Sequence, residues 1–215
     1  MCTYIKEVLE LLKGMFVEEL FYIIIQTVIL LVTAWITWRT YNNNIHQKEK
    51  DSATIIVAQI ENMYKNILSL NENCAGIDKE PVFDTDKMWR ATKLFEKNYW
   101  DVHGYNLTKY LSNNEIKAIT EYYKKSMVVN SQIEAFQDMI HSIYKSFYIE
   151  EKMNKLNGDY VPHIRVSTIY LDAFQENVRE LELIYKMEFF CTASAMMGKI
   201  ANSNYKTWKR LKKNR

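Results

Sequence analysis

Glycine and proline are scarce in this sequence, with 5 and 2 among 215 residues. Because these residues end helices and form tight turns, their scarcity leaves little room for β-hairpins and favours helices. The 3 cysteines are odd in number and far apart. They form neither a zinc-binding spacing nor a disulfide framework, which suits a reducing compartment. The fold class predicted from these absences is all-α.

An excess of charge of one sign is also missing, since 28 basic residues stand against 26 acidic ones. The chain as a whole therefore has no positive field of the kind that attracts nucleic acid. The sequence contains no glycine-rich phosphate loop, no HExxH, no GxSxG and no paired-cysteine metal motif. We therefore expect no metal, no cofactor and no catalysis of the familiar classes.

Charge is absent altogether from the nineteen residues between Leu20 and Trp38. As a helix rising about 1.5 Å per residue, this stretch is roughly 28 Å long, close to the ~30 Å hydrocarbon thickness of a bilayer. Trp35 and Trp38 lie near one end, as interfacial aromatic residues do. The sequence thus predicts a transmembrane helix over residues 20–38, preceded by an interfacial amphipathic segment over residues 1–19.

Basic residues set the expected orientation of this helix. Six of the last ten residues are basic and none is acidic. The positive-inside rule therefore places the chain after the span in the cytoplasm. The basic tail, residues 204–215, has two open uses, contact with anionic lipid or with RNA. Its basic residues are Lys206, Lys209, Arg210, Lys212, Lys213 and Arg215.

After the span, a membrane-proximal helix is predicted over residues 39–72. Its apolar residues repeat with the alternating four- and three-residue spacing of a coiled-coil seam. This seam either packs on the rest of its own domain or joins copies of the chain beside the membrane. Its residues are Ile56, Ile60, Met63, Ile67 and Leu70.

Residues 84–203 are predicted to form an antiparallel cytoplasmic bundle, so that the chain has one transmembrane helix followed by four or five bundle helices. A capping box from Ser112 to Glu115 begins one of them. A second box, Ser131 to Glu134, predicts a break near Asn130. The remaining predicted helices run from a cap at Asp84 or Thr85 to Trp100, and from about Val166 to Ala201.

Polar side chains form one stripe along the predicted transmembrane helix and its continuation. Their spacings of seven, four, three and four residues keep them on one side of a helix. Polar atoms in a bilayer favour protein or water neighbours over lipid. The stripe therefore predicts either two helices hydrogen-bonded across it or a ring of subunits with a wet pore. Its residues are Gln26, Thr33, Thr37, Thr40 and Asn44.

Arg39 and His46 have the spacing of the Arg-x4–6-His motif of RNA-cleaving helical domains of the HEPN type. In that motif the arginine can stabilise phosphate charge and the histidine can move a proton. However, Thr40 stands where such motifs usually carry Asn, His or Gln. Arg39 also directly follows the apolar run, where it can snorkel to headgroups. Both departures disfavour RNA cleavage by this pair.

One N-terminal span, a helical cytoplasmic domain and a degenerate Arg39-x6-His46 together resemble a known family. It comprises the small membrane accessory proteins encoded beside the RNA-guided RNase of type VI-B CRISPR loci. The resemblance implies an oligomeric pore in the bacterial inner membrane that acts in anti-phage defence by dissipating the membrane potential. It also implies the RNA-guided RNase as functional partner. The alternatives are a membrane-tethered HEPN-like module that binds or cleaves RNA, and an adaptor that recruits a partner to the membrane.

Overall fold

A computed structural model of the chain describes residues 2–74, 90–154 and 168–213. Six α-helices and two 3-10 turns are present there, and the described residues contain no strand. The predicted all-α fold class is confirmed. The helices are α1 (Cys2–Cys74), α2 (Tyr99–His103), α3 (Asn113–Asn154), α4 (Thr168–Lys186), α5 (Glu188–Ala201) and α6 (Tyr205–Lys213), and the turns are Gly104–Asn106 and Thr108–Tyr110.

The chain divides into two compact units, Met1–Gln47 and Lys48–Arg215. The boundary falls inside α1 and inside the predicted membrane-proximal segment 39–72, so residues 48–71 belong to the same unit as the bundle. Residues 2–19 are the first part of α1. The side chains of residues 2–18 lie outside the described part of the chain, and the interfacial placement of this segment stays a prediction.

The core of the second unit lies between α1 and the bundle helices. α3 packs against both α4 and α5, and these two also pack on each other. Aromatic rings fill much of this space, since Tyr64 stacks on Tyr185 with centroids 3.8 Å apart and Tyr122 lies 4.7 Å from Phe190. Burial of these rings, together with the aliphatic side chains of the core, provides the hydrophobic stabilisation of this unit.

Local capping signals predicted one helix start correctly and one break wrongly. Glu115 accepts from the Ser112 backbone N–H at 2.5 Å, and the Ser112 hydroxyl accepts from the Glu115 N–H at 3.4 Å, so the first capping box is confirmed. The break near Asn130 is wrong, because α3 continues to Asn154. The Ser131 hydroxyl instead donates to the Met127 carbonyl of its own helix.

Two other predicted helices differ from the structure. The helix expected to end at Trp100 is wrong over its described part, since residues 90–98 are irregular and only α2 follows them. Residues 84–89 of that prediction lie outside the described residues. The last predicted helix is two helices, with Met187 in an extended conformation between α4 and α5.

One buried phenol gives a stability prediction for this core. The Tyr122 hydroxyl is buried and has no hydrogen-bond partner among the described residues, and burial raises its pKa far above the ordinary value. Tyr122→Phe removes this unsatisfied group, so we expect the free energy of unfolding to rise by about 1 kcal/mol.

Tyr123 is the matched control, because its buried hydroxyl donates to Gln59 Oε1 at 2.9 Å. Tyr123→Phe should lower the free energy of unfolding by about 1 kcal/mol. Urea unfolding followed by circular dichroism in detergent measures both. If Tyr122→Phe lost as much stability as Tyr123→Phe, the Tyr122 hydroxyl would not be an unsatisfied group.

Candidate functional site

The apolar segment, Leu20–Trp38, is the first candidate site. One helix among the described residues is long and apolar enough to cross a membrane, and it covers Glu19–Asn71. None of its most apolar eighteen-residue window is buried within the chain. Such a surface is costly in water, because every apolar side chain there remains hydrated. The location of this helix near the N-terminus agrees with the predicted span.

The polar stripe is exposed along its whole length, from Gln26 to Asn44. The two threonines of the stripe that lie within the apolar segment already have acceptors on their own helix. Thr33 Oγ1 donates to the Ile29 carbonyl at 2.8 Å, and Thr37 Oγ1 donates to the Thr33 carbonyl at 2.9 Å. Within the described residues the Gln26 amide makes no hydrogen bond. Gln26 is therefore the group in the apolar segment that most needs a partner or water.

Arg39 and His46 lie on α1 about 10.5 Å apart along the helix axis. The Arg39 guanidinium lies over the Trp35 ring, 5.4 Å from its centroid, and Arg39 is exposed. His46 is only 8% exposed. A catalytic pair needs both groups at one substrate phosphate. The structure does not bring the two side chains together.

The predicted seam is a buried face of the second unit. Its five residues, Ile56 to Leu70, are between 0% and 3% exposed within a single chain. This burial supports the alternative in which the helix packs on its own domain. A second copy cannot pack on these side chains while this unit is folded, because their surfaces already contact the same chain.

Glu49 forms a buried polar cluster that the sequence patterns did not predict. Glu49 is 3% exposed, and its carboxylate accepts hydrogen bonds from three different side chains. The Tyr110 hydroxyl donates at 2.5 Å and the Trp208 indole at 2.7 Å, and the Lys109 ammonium forms an ion pair. Burial and the neighbouring carboxylate raise the pKa of Tyr110. The cluster ties α1, the second 3-10 turn and α6 together.

A signal for this cluster is present in the seam itself. Glu49 lies seven residues before Ile56, so a charged residue stands at a position of the apolar seam. A carboxylate at such a position is buried only if donors reach it. The sequence cannot identify those donors, because Trp208 is 159 residues away.

α6 carries the predicted basic tail and is amphipathic. Trp208 is buried, whereas the five basic residues from Lys206 to Lys213 are exposed. Two of these ammonium groups lie over rings, Lys209 over Tyr205 at 5.0 Å and Lys212 over Trp208 at 5.1 Å. Arg215 lies outside the described residues. The exposed face offers cations to an anionic partner such as lipid headgroups or RNA.

The described residues contain no group of three or more His, Cys, Asp or Glu side chains that could hold a metal ion. Over the described ranges, the fold and these sites define an all-α protein with one candidate membrane-spanning helix. Comparison with protein-family models, with curated proteins and with solved structures finds no match to this chain.

Proposed function

We propose that this protein is a single-pass membrane protein whose copies assemble through the apolar segment into a pore that dissipates the membrane potential. The observation that carries the proposal is the exposed, uncharged apolar segment Leu20–Trp38 of α1, with Gln26 on its polar stripe. In a bilayer, a free primary amide gains stability by facing water or another helix. A ring of such helices places the amides around one axis.

The charges support a cytoplasmic location of the second unit. α6 has no acidic residue and five exposed basic ones, and basic segments stay on the cytoplasmic side. The resemblance to type VI-B accessory proteins implies that this membrane is the inner membrane of a bacterium. The functional partner is then an RNA-guided RNase, and the effect is anti-phage defence.

The adaptor alternative is favoured by one observation, the exposed basic face of α6, which could hold an acidic partner without any pore. RNA cleavage has less support, because Arg39 contacts Trp35 and His46 is buried. Depolarisation separates the pore from the adaptor. A potential-sensitive dye in infected cells that carry the partner RNase measures it, and an unchanged potential in the wild type would overturn the pore.

The orientation has its own test by cysteine labelling. The natural cysteines Cys2, Cys74 and Cys191 are first replaced by serine, and Thr3→Cys or Asn214→Cys is then introduced. We expect a membrane-impermeant maleimide to label Thr3→Cys in intact cells and Asn214→Cys only after lysis, following the asymmetry of basic residues. Labelling of Asn214→Cys in intact cells would reverse the orientation.

A further inference from the structure

The first residues of the second unit hold partners from two distant parts of the chain. Glu49 is the second residue of that unit, and its carboxylate holds Tyr110 and Trp208. Three residues later, the Ser52 hydroxyl accepts a hydrogen bond from the Asn106 amide at 2.8 Å. Both 3-10 turns and α6 are therefore fixed at the place where α1 enters the second unit.

Basic residues are concentrated at this place. The residues in the ranges 48–52, 104–110 and 205–213 include eight basic side chains and two acidic ones, whereas the whole chain is nearly neutral. Of the two acidic residues, Glu49 is buried and already paired. Seven of the basic residues are exposed, and we call them the basic surface: Lys48, Lys109, Lys206, Lys209, Arg210, Lys212 and Lys213.

The part of the basic surface on α6 is oriented by the buried tryptophan. Trp208 is 1% exposed, and its indole donates to Glu49 at 2.7 Å. With successive residues about 100° apart around a helix, Lys206, Arg210 and Lys213 lie on the side opposite Trp208. All three are exposed. α6 therefore presents a row of cations to the solvent while its tryptophan holds it on the unit.

The fold brings α6 close to the apolar segment along the chain. Tyr205 is 167 residues after Trp38 in the sequence, but Glu49 is only eleven residues after it. These eleven residues belong to α1 and rise about 16 Å. The headgroup layer extends roughly 6 Å beyond the hydrocarbon. With the apolar segment in a bilayer, Glu49 then lies roughly 10 Å from the headgroups, about one Debye length at 0.1 M salt.

We infer that the basic surface binds the headgroups of anionic phospholipids next to the transmembrane helix. Clusters of four to eight basic residues beside a span, or on an amphipathic helix, attract such lipids. RNA would have to approach the same surface against the negative charge of the membrane, so its position favours lipid over RNA. The contact gives the second unit its own attachment to the bilayer. This inference rests on the proposed membrane span and is independent of the pore.

A fluorophore on α6 of the full-length chain tests the lipid contact. The natural cysteines are replaced by serine, and Thr207→Cys is labelled with a maleimide dye that fluoresces more strongly and at shorter wavelength in apolar surroundings. Thr207 is exposed and lies beside the row of cations. We expect a blue shift when nanodiscs of phosphatidylcholine are replaced by nanodiscs that also contain phosphatidylglycerol. Salt at 1 M should reverse the shift, because it shortens the Debye length to about 3 Å.

A triple variant of the labelled chain identifies the cations that bind. Lys206→Gln, Arg210→Gln and Lys213→Gln together remove the row opposite Trp208. Each basic residue near an anionic surface changes binding about fivefold, so the three together should weaken it about a hundredfold and abolish the shift. The matched control replaces three exposed lysines from other parts of the unit by glutamine and should keep the shift: Lys65, Lys124 and Lys145.

Three outcomes would overturn the lipid contact. They are an emission that does not respond to phosphatidylglycerol, an equal loss of the shift in both triple variants, and a shift that appears only when single-stranded RNA is added to phosphatidylcholine nanodiscs. The potential-sensitive dye in cells decides the pore separately. Depolarisation without a response to phosphatidylglycerol removes the lipid contact alone, and that response without depolarisation removes the pore alone.

Discussion

Leucine at Gln26, Thr33 and Thr37 together is expected to abolish membrane depolarisation and protection from phage, with normal expression and membrane insertion. The three positions form the part of the polar stripe that lies within the apolar segment. Leucine removes every polar atom from that part, which favours a dewetted constriction that excludes ions. The potential-sensitive dye in infected cells, with the partner RNase present, gives the measurement.

The three positions are expected to contribute unequally to depolarisation. Both threonine hydroxyls already donate to carbonyls of α1, whereas the Gln26 amide makes no hydrogen bond within the described residues. We therefore expect Gln26→Leu alone to remove most of the depolarisation and the double threonine variant to remove less. Since the threonine bonds are internal, their loss should leave the helix intact.

A matched triple change on a neighbouring face of the same helix is the control. Ile25, Ile29 and Ile36 are exposed like the stripe, but they are apolar. Leucine at these three positions keeps apolar character and volume, so depolarisation and protection should persist. Equal activity of the two triple variants would refute the assignment of the stripe as a pore lining.

Glu49→Ala is expected to lower the free energy of unfolding of the second unit by about 3 kcal/mol. The change leaves the Tyr110 hydroxyl and the Trp208 indole buried without their acceptor. Lys109 loses its ion pair, but its side chain is 42% exposed and water replaces much of that interaction. The largest share of the loss therefore comes from the two buried donors.

Two comparisons make the Glu49 experiment specific. Glu49→Gln retains one carbonyl acceptor, so it should lose about half as much stability as Glu49→Ala. Glu121→Ala removes an exposed carboxylate of α3 and should leave stability nearly unchanged. Urea unfolding followed by circular dichroism in detergent measures all three variants. A Glu49→Ala protein as stable as Glu121→Ala would show that the cluster contributes nothing.

The detachment of α6 gives a second measurement on the same variants. Trp208 is the buried residue of this helix, and its indole donates to Glu49. Without that acceptor, α6 should detach and unfold more often, so that trypsin can cleave its main chain after the basic residues. We expect faster loss of the C-terminal residues in Glu49→Ala than in Glu121→Ala. Equal cleavage rates in the two variants would show that Glu49 does not hold α6 in place.

Features that depend on near neighbours could be predicted from the sequence. The apolar segment is a property of consecutive residues, and the Ser112–Glu115 box closes within one turn. The periodic seam correctly identified which face of α1 is buried. In each case the decisive interaction, with bulk solvent or with a residue three or four positions away, is already specified by the local pattern.

Features that depend on distant partners were decided by the tertiary structure alone. Apolar spacing predicted a helix ending at Trp100, but Gln59 and Asn130 supply main-chain hydrogen bonds that let residues 91–98 stay irregular. The seam is buried by its own chain, and Glu49 meets Trp208 from 159 residues away. Helical periodicity determines which side of a helix is apolar. The way the chain folds back on itself determines which side chains pack on that apolar side. It also determines which groups form hydrogen bonds with the polar atoms beside it.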